Sequence, residues 1–157
     1  MKLTKNRGRR MMVLAQLFVA LVGNLMVSTS QAATTPRAAA LMADGTVVGW
    51  GLNHLGQLNI PADLSGVTAI AAGGAHSLAL KSDGTVVGWG RNDFGQASPP
   101  ADLSGVAAIA CGFLHSLALK SDGTVVGWGD NSGGQLNIPA GLIGVTAIAA
   151  GTPTAWR

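Results

Sequence analysis

The sequence predicts an all-β chain built from β-propeller blades of about 39 residues. Three observations lead to this prediction. The octapeptide DGTVVGWG occurs three times, at a constant step of 39 residues. Each copy alternates short apolar runs with Asp-Gly turns, as β-hairpins do. The chain after residue 32 shows no convincing helical period. Repeats of this length are typical of propellers, whereas the coils of a parallel β-solenoid, the alternative, are usually shorter.

The repeat divides the chain into two whole copies and one copy split between its ends. Residues 67–105 and 106–144 are the whole copies, and they differ at 12 of 39 positions. Residues 37–66 supply the later part of a repeat. Residues 145–157 begin another with VTAIAAG, and the pattern then fails in GTPTAWR. We therefore expect two complete blades, and a third that residues 145–151 could complete by pairing with the front fragment.

Within a copy, two strands flank a tight turn. In residues 76–90, HSLALKSDGTVVGWG, the SLALK segment alternates in polarity, which predicts a half-buried strand. Gly84 can adopt the left-handed conformation that closes a hairpin. Gly88 has no side chain, so we expect another segment to pack closely against it. The following loop contains prolines, which disfavour a central strand. They are Pro61, Pro99, Pro100 and Pro139.

The first 32 residues have the features of a secretory signal peptide. Five of the ten basic residues lie within the first ten positions, and an apolar run over residues 11–27 follows. Small residues at Ser30 and Ala32 predict cleavage after Ala32, which leaves residues 33–157 as the mature chain. That chain would be secreted, periplasmic or on the cell surface. A retained membrane anchor is the alternative, although the apolar run is short for a bilayer.

Removal of the leader changes the charge of the chain. The mature part has five basic and seven acidic residues, a net charge of −2 with histidine neutral. No basic patch remains to neutralise phosphates, so nucleic acid is not an expected partner, and no membrane contact is expected either. Cys111 is the only cysteine, which excludes an intrachain disulfide and a cysteine metal cluster. We predict a buried small hydrophobe at Cys111, and no cofactor or metal.

The motif G-x-x-H-S-L-A-L-x-x-D-G-x-V-x-x-W-G-x-N-x-x-G-Q resembles the regulator of chromosome condensation repeat. It covers residues 73–96 and 112–135, with a partial copy that ends at Gln57. The resemblance implies a β-propeller, usually of seven blades. The founder of the family is an exchange factor for a small nuclear GTPase, but the loops on which exchange depends have no match here. A secreted β-lactamase-inhibitory propeller is more similar in repeat length and export, and it implies binding through loops on one face.

Residues that recur at the same place in each copy are predicted to build the blades. One enzyme site does not need the same histidine in every blade, whereas a histidine that bonds backbone at each blade junction does. Each aspartate is expected to stabilise its turn, with calcium binding as a weaker alternative. The tryptophans are expected to pack between blades, with sugar stacking as the alternative, and the glutamines to satisfy loop backbone. These positions are His76 and His115; Asp44, Asp83 and Asp122; Trp50, Trp89 and Trp128; and Gln57, Gln96 and Gln135.

Positions that change between the copies are the candidate binding residues. Exposed loops on a rigid scaffold are where binding specificity usually lies, and drift at exposed positions is the alternative. The candidates are Leu52, His54 and Leu55 in the first copy, Arg91, Asp93 and Phe94 in the second, Asp130 and Ser132 in the third, and Phe113 and Leu114 before the second histidine.

Together these features predict an exported, non-catalytic module that binds an unknown protein or surface ligand. An inhibitor or adhesin that uses its loop face is the alternative. Exchange-factor activity or a glycan-active propeller enzyme ranks below both, because no blade contains a cluster of unlike polar residues. Three blades rarely close into a ring. We therefore expect either self-association through incomplete blades or a fragment of a longer repeat protein, and the TPTAWR ending favours the fragment.

Overall fold

The computed structural model describes residues 26–30 and 37–151, and all regular structure within them is β-strand. The predicted leader lies outside the described residues apart from Met26–Ser30, and its cleavage stays a prediction. No helix in this described part is long and apolar enough to span a membrane. The strands are β1 Met26–Ser30, β2 Arg37–Leu41, β3 Val47–Gly51, β4 Val67–Ala72, β5 His76–Lys81, β6 Val86–Gly90, β7 Val106–Cys111, β8 His115–Lys120 and β9 Val125–Gly129.

The strands form three antiparallel sheets of three strands each. The orders are β1-β2-β3, β4-β5-β6 and β7-β8-β9, and we call these sheets blades 1, 2 and 3. The loop after the third strand of blade 2, which contains the prolines, forms turns instead of a fourth strand. The predicted all-β chain of propeller blades is confirmed.

The Asp-Gly turn sets the register of each hairpin. In blade 2, His76 pairs with Gly90 and Leu80 with Val86. The turn between them places Gly84 at a φ of 78°, a left-handed conformation that favours glycine. This arrangement brings the start of β5 and the end of β6 to the same end of the blade, which matters for the loops described below.

The middle strand of blade 2, β5, is buried on both faces, so the prediction of a half-buried strand over SLALK is wrong there. Leu78 and Ala79 point to opposite faces of β5, and neither is exposed to solvent. The reason is tertiary: blade 2 lies between two other blades, so both faces of its sheet are covered. Alternation of polarity along SLALK therefore reflects Ser77 at a polar junction contact, not contact with water.

Two apolar cores hold the blades together, one at each junction. The core between blades 1 and 2 consists of Leu41, Val67, Ala79 and Trp89. The core between blades 2 and 3 consists of Leu78, Leu80, Val106, Ala118 and Trp128. Cys111 packs against this second core but is half-buried, not buried as predicted, and its Sγ lies 3.6 Å from Ala71 O.

The close contact predicted at Gly88 is confirmed. A Cβ atom there would overlap the carbonyl oxygen of Ala97, in the loop that follows β6. The loop backbone therefore lies directly on the sheet, and its course depends on a position without a side chain.

The expected pairing of residues 145–151 with the front fragment is wrong. The outer edge of β2 is hydrogen-bonded to β1, in a register that sets Met26 against Leu41. Residues 145–151 instead continue past blade 3 and have no strand partner among the described residues. Val145 N donates to Gly123 O at 3.2 Å, just as Val106 N donates to Gly84 O at 3.3 Å. The segment thus begins where the first strand of a following blade would begin.

Candidate binding face and blade junctions

The loops that differ between the copies lie at one end of the blades. Arg91 N donates to Ala75 O at 2.9 Å, and Asp130 N donates to Leu114 O at 2.9 Å. Each third strand therefore ends beside the turn that precedes the second strand. We call this end the loop face, and define it as residues 52–55, 91–94, 113–114 and 130–133. The structure places all the predicted binding candidates there.

Asparagine and glutamine side chains support the loops in the same way in every blade. Asn92 Oδ1 accepts from Ala97 N at 2.9 Å, and Gln96 Oε1 accepts from Phe94 N at 2.9 Å. The loop path is therefore fixed by residues that do not change, while the tips are free to vary. The equivalent bonds are Asn53 with Leu58, Gln57 with Leu55, Asn131 with Leu136, and Gln135 with Gly133.

The loop tips present apolar and charged groups side by side. Phe94 is 48% exposed, and Leu52 and Leu55 are exposed as well. Next to Phe94, Arg91 Nε donates to Asp93 Oδ2 at 2.6 Å in an exposed ion pair. An exposed aromatic side chain beside arginine is a combination that protein interfaces favour. His54, also at a tip, is exposed.

Phe113 and Leu114 differ from the other candidates because they are half-buried. Gly74 N, in blade 2, donates to Phe113 O at 3.2 Å. A Cβ atom on Gly74 would lie 2.5 Å from the Phe113 ring. Phe113 is the counterpart of Gly74 in the next copy, and its ring packs into the space that Gly74 leaves in blade 2. Phe113 is therefore less accessible than Phe94.

The recurring histidine lies at the junction with the next blade. His76 is fully buried, and its Nε2 lies 2.9 Å from Ser116 Oγ of blade 3. Ser116 Oγ in turn donates to Gln96 O at 2.8 Å. A hydroxyl group of the next blade is therefore one partner of this junction histidine. A Cβ atom on Gly73 would overlap the imidazole, which explains the glycine three residues before the histidine.

The serine after each histidine is a junction residue that the repeat pattern did not predict. The sequence nevertheless contains a signal for it. The front fragment has Arg37 and Ala38 where the whole copies have His-Ser, so both residues of the pair change together.

The tryptophans lie between blades wherever a blade precedes them. Trp89 Nε1 donates to Gln57 O, and Trp128 Nε1 donates to Gln96 O, both at 3.0 Å. Both rings are buried, whereas Trp50 is 51% exposed because no described blade lies before it. Each internal glutamine thus acts twice: its side chain supports a loop, and its carbonyl accepts from the next blade.

The aspartates before the turn glycines bond the turns themselves. Asp83 Oδ1 accepts from Thr85 Oγ1 at 2.6 Å and from Thr85 N at 3.0 Å. These bonds stabilise the carboxylate and lower the pKa of Asp83 to about 2. Bonds to Thr46 and Thr124 lower the pKa of Asp44 and Asp122 likewise. Within residues 26–30 and 37–151, no group of three or more histidine, cysteine or carboxylate side chains could hold a metal ion.

One buried histidine lies close enough to a loop-face carboxylate for the two charges to interact. Burial lowers the pKa of His115, and the charge of Asp130 opposes that effect. Asp130 Oδ2, however, accepts from Ser132 Oγ at 2.8 Å and from Gln135 Nε2 at 3.0 Å. The hydrogen bonds of this carboxylate oxygen are thus made within its own loop. Among the described residues, Asp130 and His115 are not hydrogen-bonded to each other, so they do not form a proton relay.

Residues 67–96 and 106–135 match the regulator of chromosome condensation (RCC1) repeat. Two segments of the chain, 60 of its 157 residues in all, therefore match this repeat. The resemblance predicted from the sequence is therefore confirmed for both whole copies. A comparison with curated proteins found no match.

Solved structures of RCC1-like propellers resemble the chain in fold. Prp20p from Saccharomyces cerevisiae is 26% identical, with a TM-score of 0.57, over 66% of this chain and 31% of that protein. The CRINKLY WD40 ectodomain of the Arabidopsis thaliana receptor kinase ACR4 is 26% identical, with a TM-score of 0.58, over 74% of this chain and 40% of that one. The ectodomain of the Physcomitrella patens receptor kinase CR4, at 24% identity and a TM-score of 0.62, covers 74% and 34% and shares the fold. The chain thus spans less than half the length of these structures.

Proposed function

We propose that this RCC1-repeat chain is an exported, non-catalytic module that binds a protein partner through its loop face. One observation carries the proposal: the loop tips change between blades, while the asparagine and glutamine bonds that support them stay the same. A scaffold that fixes a loop path and leaves its tip variable is suited to specific binding. Phe94, exposed beside the ion pair of Arg91 and Asp93, is the expected centre of contact.

Similar structures support protein binding in place of catalysis. Prp20p was described together with its binding to Gsp1p and histones. This chain covers 31% of that protein, so neither those partners nor exchange activity is transferred to it. The receptor-kinase match is an ectodomain, which agrees with a role outside the cell.

The bonds of the recurring polar residues also support a non-catalytic role. His76 bonds Ser116 inside a blade junction, and Asp83 bonds the backbone of its own turn. A catalytic histidine must reach a proton on a substrate, and a fully buried junction histidine does not. We therefore rank exchange-factor activity and glycan-active enzyme activity below protein binding as functions of this chain.

A triple variant tests the loop face. Arg91→Ala, Asp93→Ala and Phe94→Ala together should reduce cross-linking to exported and surface proteins by about tenfold or more, since interface aromatic and arginine residues contribute most binding energy. The matched control is Asp63→Ala, Asp102→Ala and Ser104→Ala, three exposed positions near the opposite end of the blades. Equal cross-linking of both variants, with unchanged circular dichroism, would refute the loop face. The activity of the captured partner then separates an inhibitor from an adhesin.

Export is tested independently. The full chain should appear outside the cytoplasm with an N-terminus at Ala33, determined by mass spectrometry. A product that retains residues 1–32 would support the membrane anchor instead.

A further inference from the structure

The two ends of the row of blades contain complementary halves of the blade junction. At both internal junctions a tryptophan Nε1 donates to the carbonyl of a glutamine in the preceding blade. Trp50, at the front, is exposed. Gln135, at the back, is half-buried, whereas Gln57 and Gln96 are fully buried. One end therefore presents the donor, and the other presents the acceptor.

The apolar residues of the two ends match in the same way. On blade 1, Val48 is exposed, although its counterpart Val126 packs into the core between blades 2 and 3. On blade 3, Leu142 is 42% exposed, although its counterpart Leu103 packs against that core. Leu117 is half-buried, whereas Leu78 is fully buried. Each end thus has the apolar surface that the other end would cover.

A strand and a strand edge are complementary as well. Residues 145–151 read VTAIAAG, the same seven residues as 67–73, which contain β4. In blade 2 these residues pair with β5, but the second copy of the sequence has no strand partner among the described residues. The equivalent edge on blade 1 is that of β2, which β1 covers. β1 lies inside the leader that we expect to be removed.

We propose that, once the leader is removed, two copies of the chain join head to tail, with residues 145–151 of each copy forming the first strand of the other copy's blade 1. The proposal rests on leader removal, which is part of the proposed function. We transfer the β4–β5 register to the equivalent residues of 145–151 and β2. Ala149 then pairs with Ala39, and Ala147 pairs with Leu41. Trp50 of one copy then donates to Gln135 O of the other.

The arithmetic of blades favours two copies. The described residues of each copy form three sheets, so two copies give six such blades, within the range of roughly four to eight found in closed propellers. Three copies would exceed it. A head-to-tail interface joins different surfaces, so it forms a ring when the rotation closes and leaves no free edge.

This junction lacks one bond that the internal junction between blades 2 and 3 has. His76 contacts Ser116, but the equivalent contact of His115 would be with Ala38 of the neighbouring copy, which has no hydroxyl. Ala38→Ser would supply it. We expect this variant to lower the dissociation constant of the pair about fivefold, as one net hydrogen bond does.

The test uses the full chain with a protease site inserted between residues 32 and 33. Light scattering should give one copy before cutting and two copies after it. Two variants, each with Cys111→Ala and one of Ala39→Cys or Ala149→Cys, are then cut, mixed and oxidised. They should form a disulfide-linked pair. Ala38→Cys in place of Ala39→Cys is the control, because neighbouring strand residues point to opposite faces.

A second pair of variants tests the tryptophan. Trp50→Ala should raise the dissociation constant about tenfold or more, since buried interface tryptophans dominate binding. Phe94→Ala, an equally exposed aromatic position on the loop face, should leave it unchanged. A single copy by light scattering after cutting would overturn the proposal. A disulfide within one chain carrying both Ala39→Cys and Ala149→Cys would do so too, because it would show closure without a second copy. Natural processing is read separately from the N-terminus, so its failure is distinct from failure of assembly.

Discussion

His76 Nε2 lies 2.9 Å from Ser116 Oγ, across the junction between blades 2 and 3, and both side chains are buried. The serine has a single hydroxyl hydrogen, which it donates to Gln96 O at 2.8 Å. The hydroxyl must therefore accept from the histidine, so we infer that His76 carries its proton on Nε2. Three residues from two blades thus form one chain of hydrogen bonds, in which the histidine of one whole copy bonds the serine of the other.

Ser116→Ala should destabilise the chain by about 1–3 kcal/mol, because it leaves a buried N–H and a buried carbonyl with one bond fewer. The comparison variant is Thr68→Ala, an exposed residue whose hydroxyl donates to Leu80 O at 3.2 Å. It should cost less than about 1 kcal/mol. Urea unfolding measures both. Equal losses would show that the short bond to histidine adds nothing.

Trp89→Phe should cost about 1–3 kcal/mol, since it removes the 3.0 Å bond to Gln57 O and part of the junction core. Trp50→Phe in the monomeric, uncut chain should change stability by no more than about 0.5 kcal/mol, because that ring is half in solvent. The free energy of unfolding in urea distinguishes the two positions. A large effect at Trp50 would mean that a contact outside the described residues covers it.

Stability should fall as the pH drops below 6.5, in part through His115. Burial lowers the pKa of His115 in the folded chain, so below 6.5 the unfolded chain binds a proton that the folded chain does not. The stabilisation is complete above that pH and is lost as the pH falls through the folded-state pKa. Replacing the ring by His115→Gln should flatten this part of the stability curve. Parallel curves for the two proteins between pH 7 and pH 5, measured by thermal unfolding, would contradict the assignment.

Thr85→Ala should raise the pKa of Asp83 from about 2 towards the ordinary value of 3.8, because the threonine hydroxyl bond is the largest cause of the lowering. Carbon-13 NMR of the carboxyl group across an acid titration measures it. Thr68→Ala is the control, since Thr68 Oγ1 donates to Leu80 O and not to a carboxylate. A pKa that stays near 2 in the Thr85 variant would show that the backbone bond alone suffices.

Much of the fold could be predicted from the sequence because each blade is determined locally. The Asp-Gly turn and the lack of a side chain at Gly88 are features within one copy, and the 39-residue step shows that the copy is repeated. The structure contains the strands and contacts that they imply. The double burial of β5 was not predictable in this way. Alternating polarity distinguishes two faces of a strand, but it cannot tell water from a polar junction such as that of Ser77.

The candidate site was likewise predictable only in part. The changed positions could be found by comparing copies, and antiparallel pairing is enough to bring loops 52–55 and 91–94 to one end. The half-burial of Phe113 could not be found, because it depends on the space left by Gly74 in another blade.

The sequence by itself determined the blade: its length, strands, turns, and the asparagine and glutamine supports of its loops. These follow from hydrogen bonds and packing between residues close in the chain. Only the tertiary structure decided what the two ends of the row do. It left Trp50 exposed, kept residues 145–151 without a strand partner, and placed β1 on the edge of β2. Contacts between blades join residues about one repeat apart, and a local pattern does not specify which surface meets which.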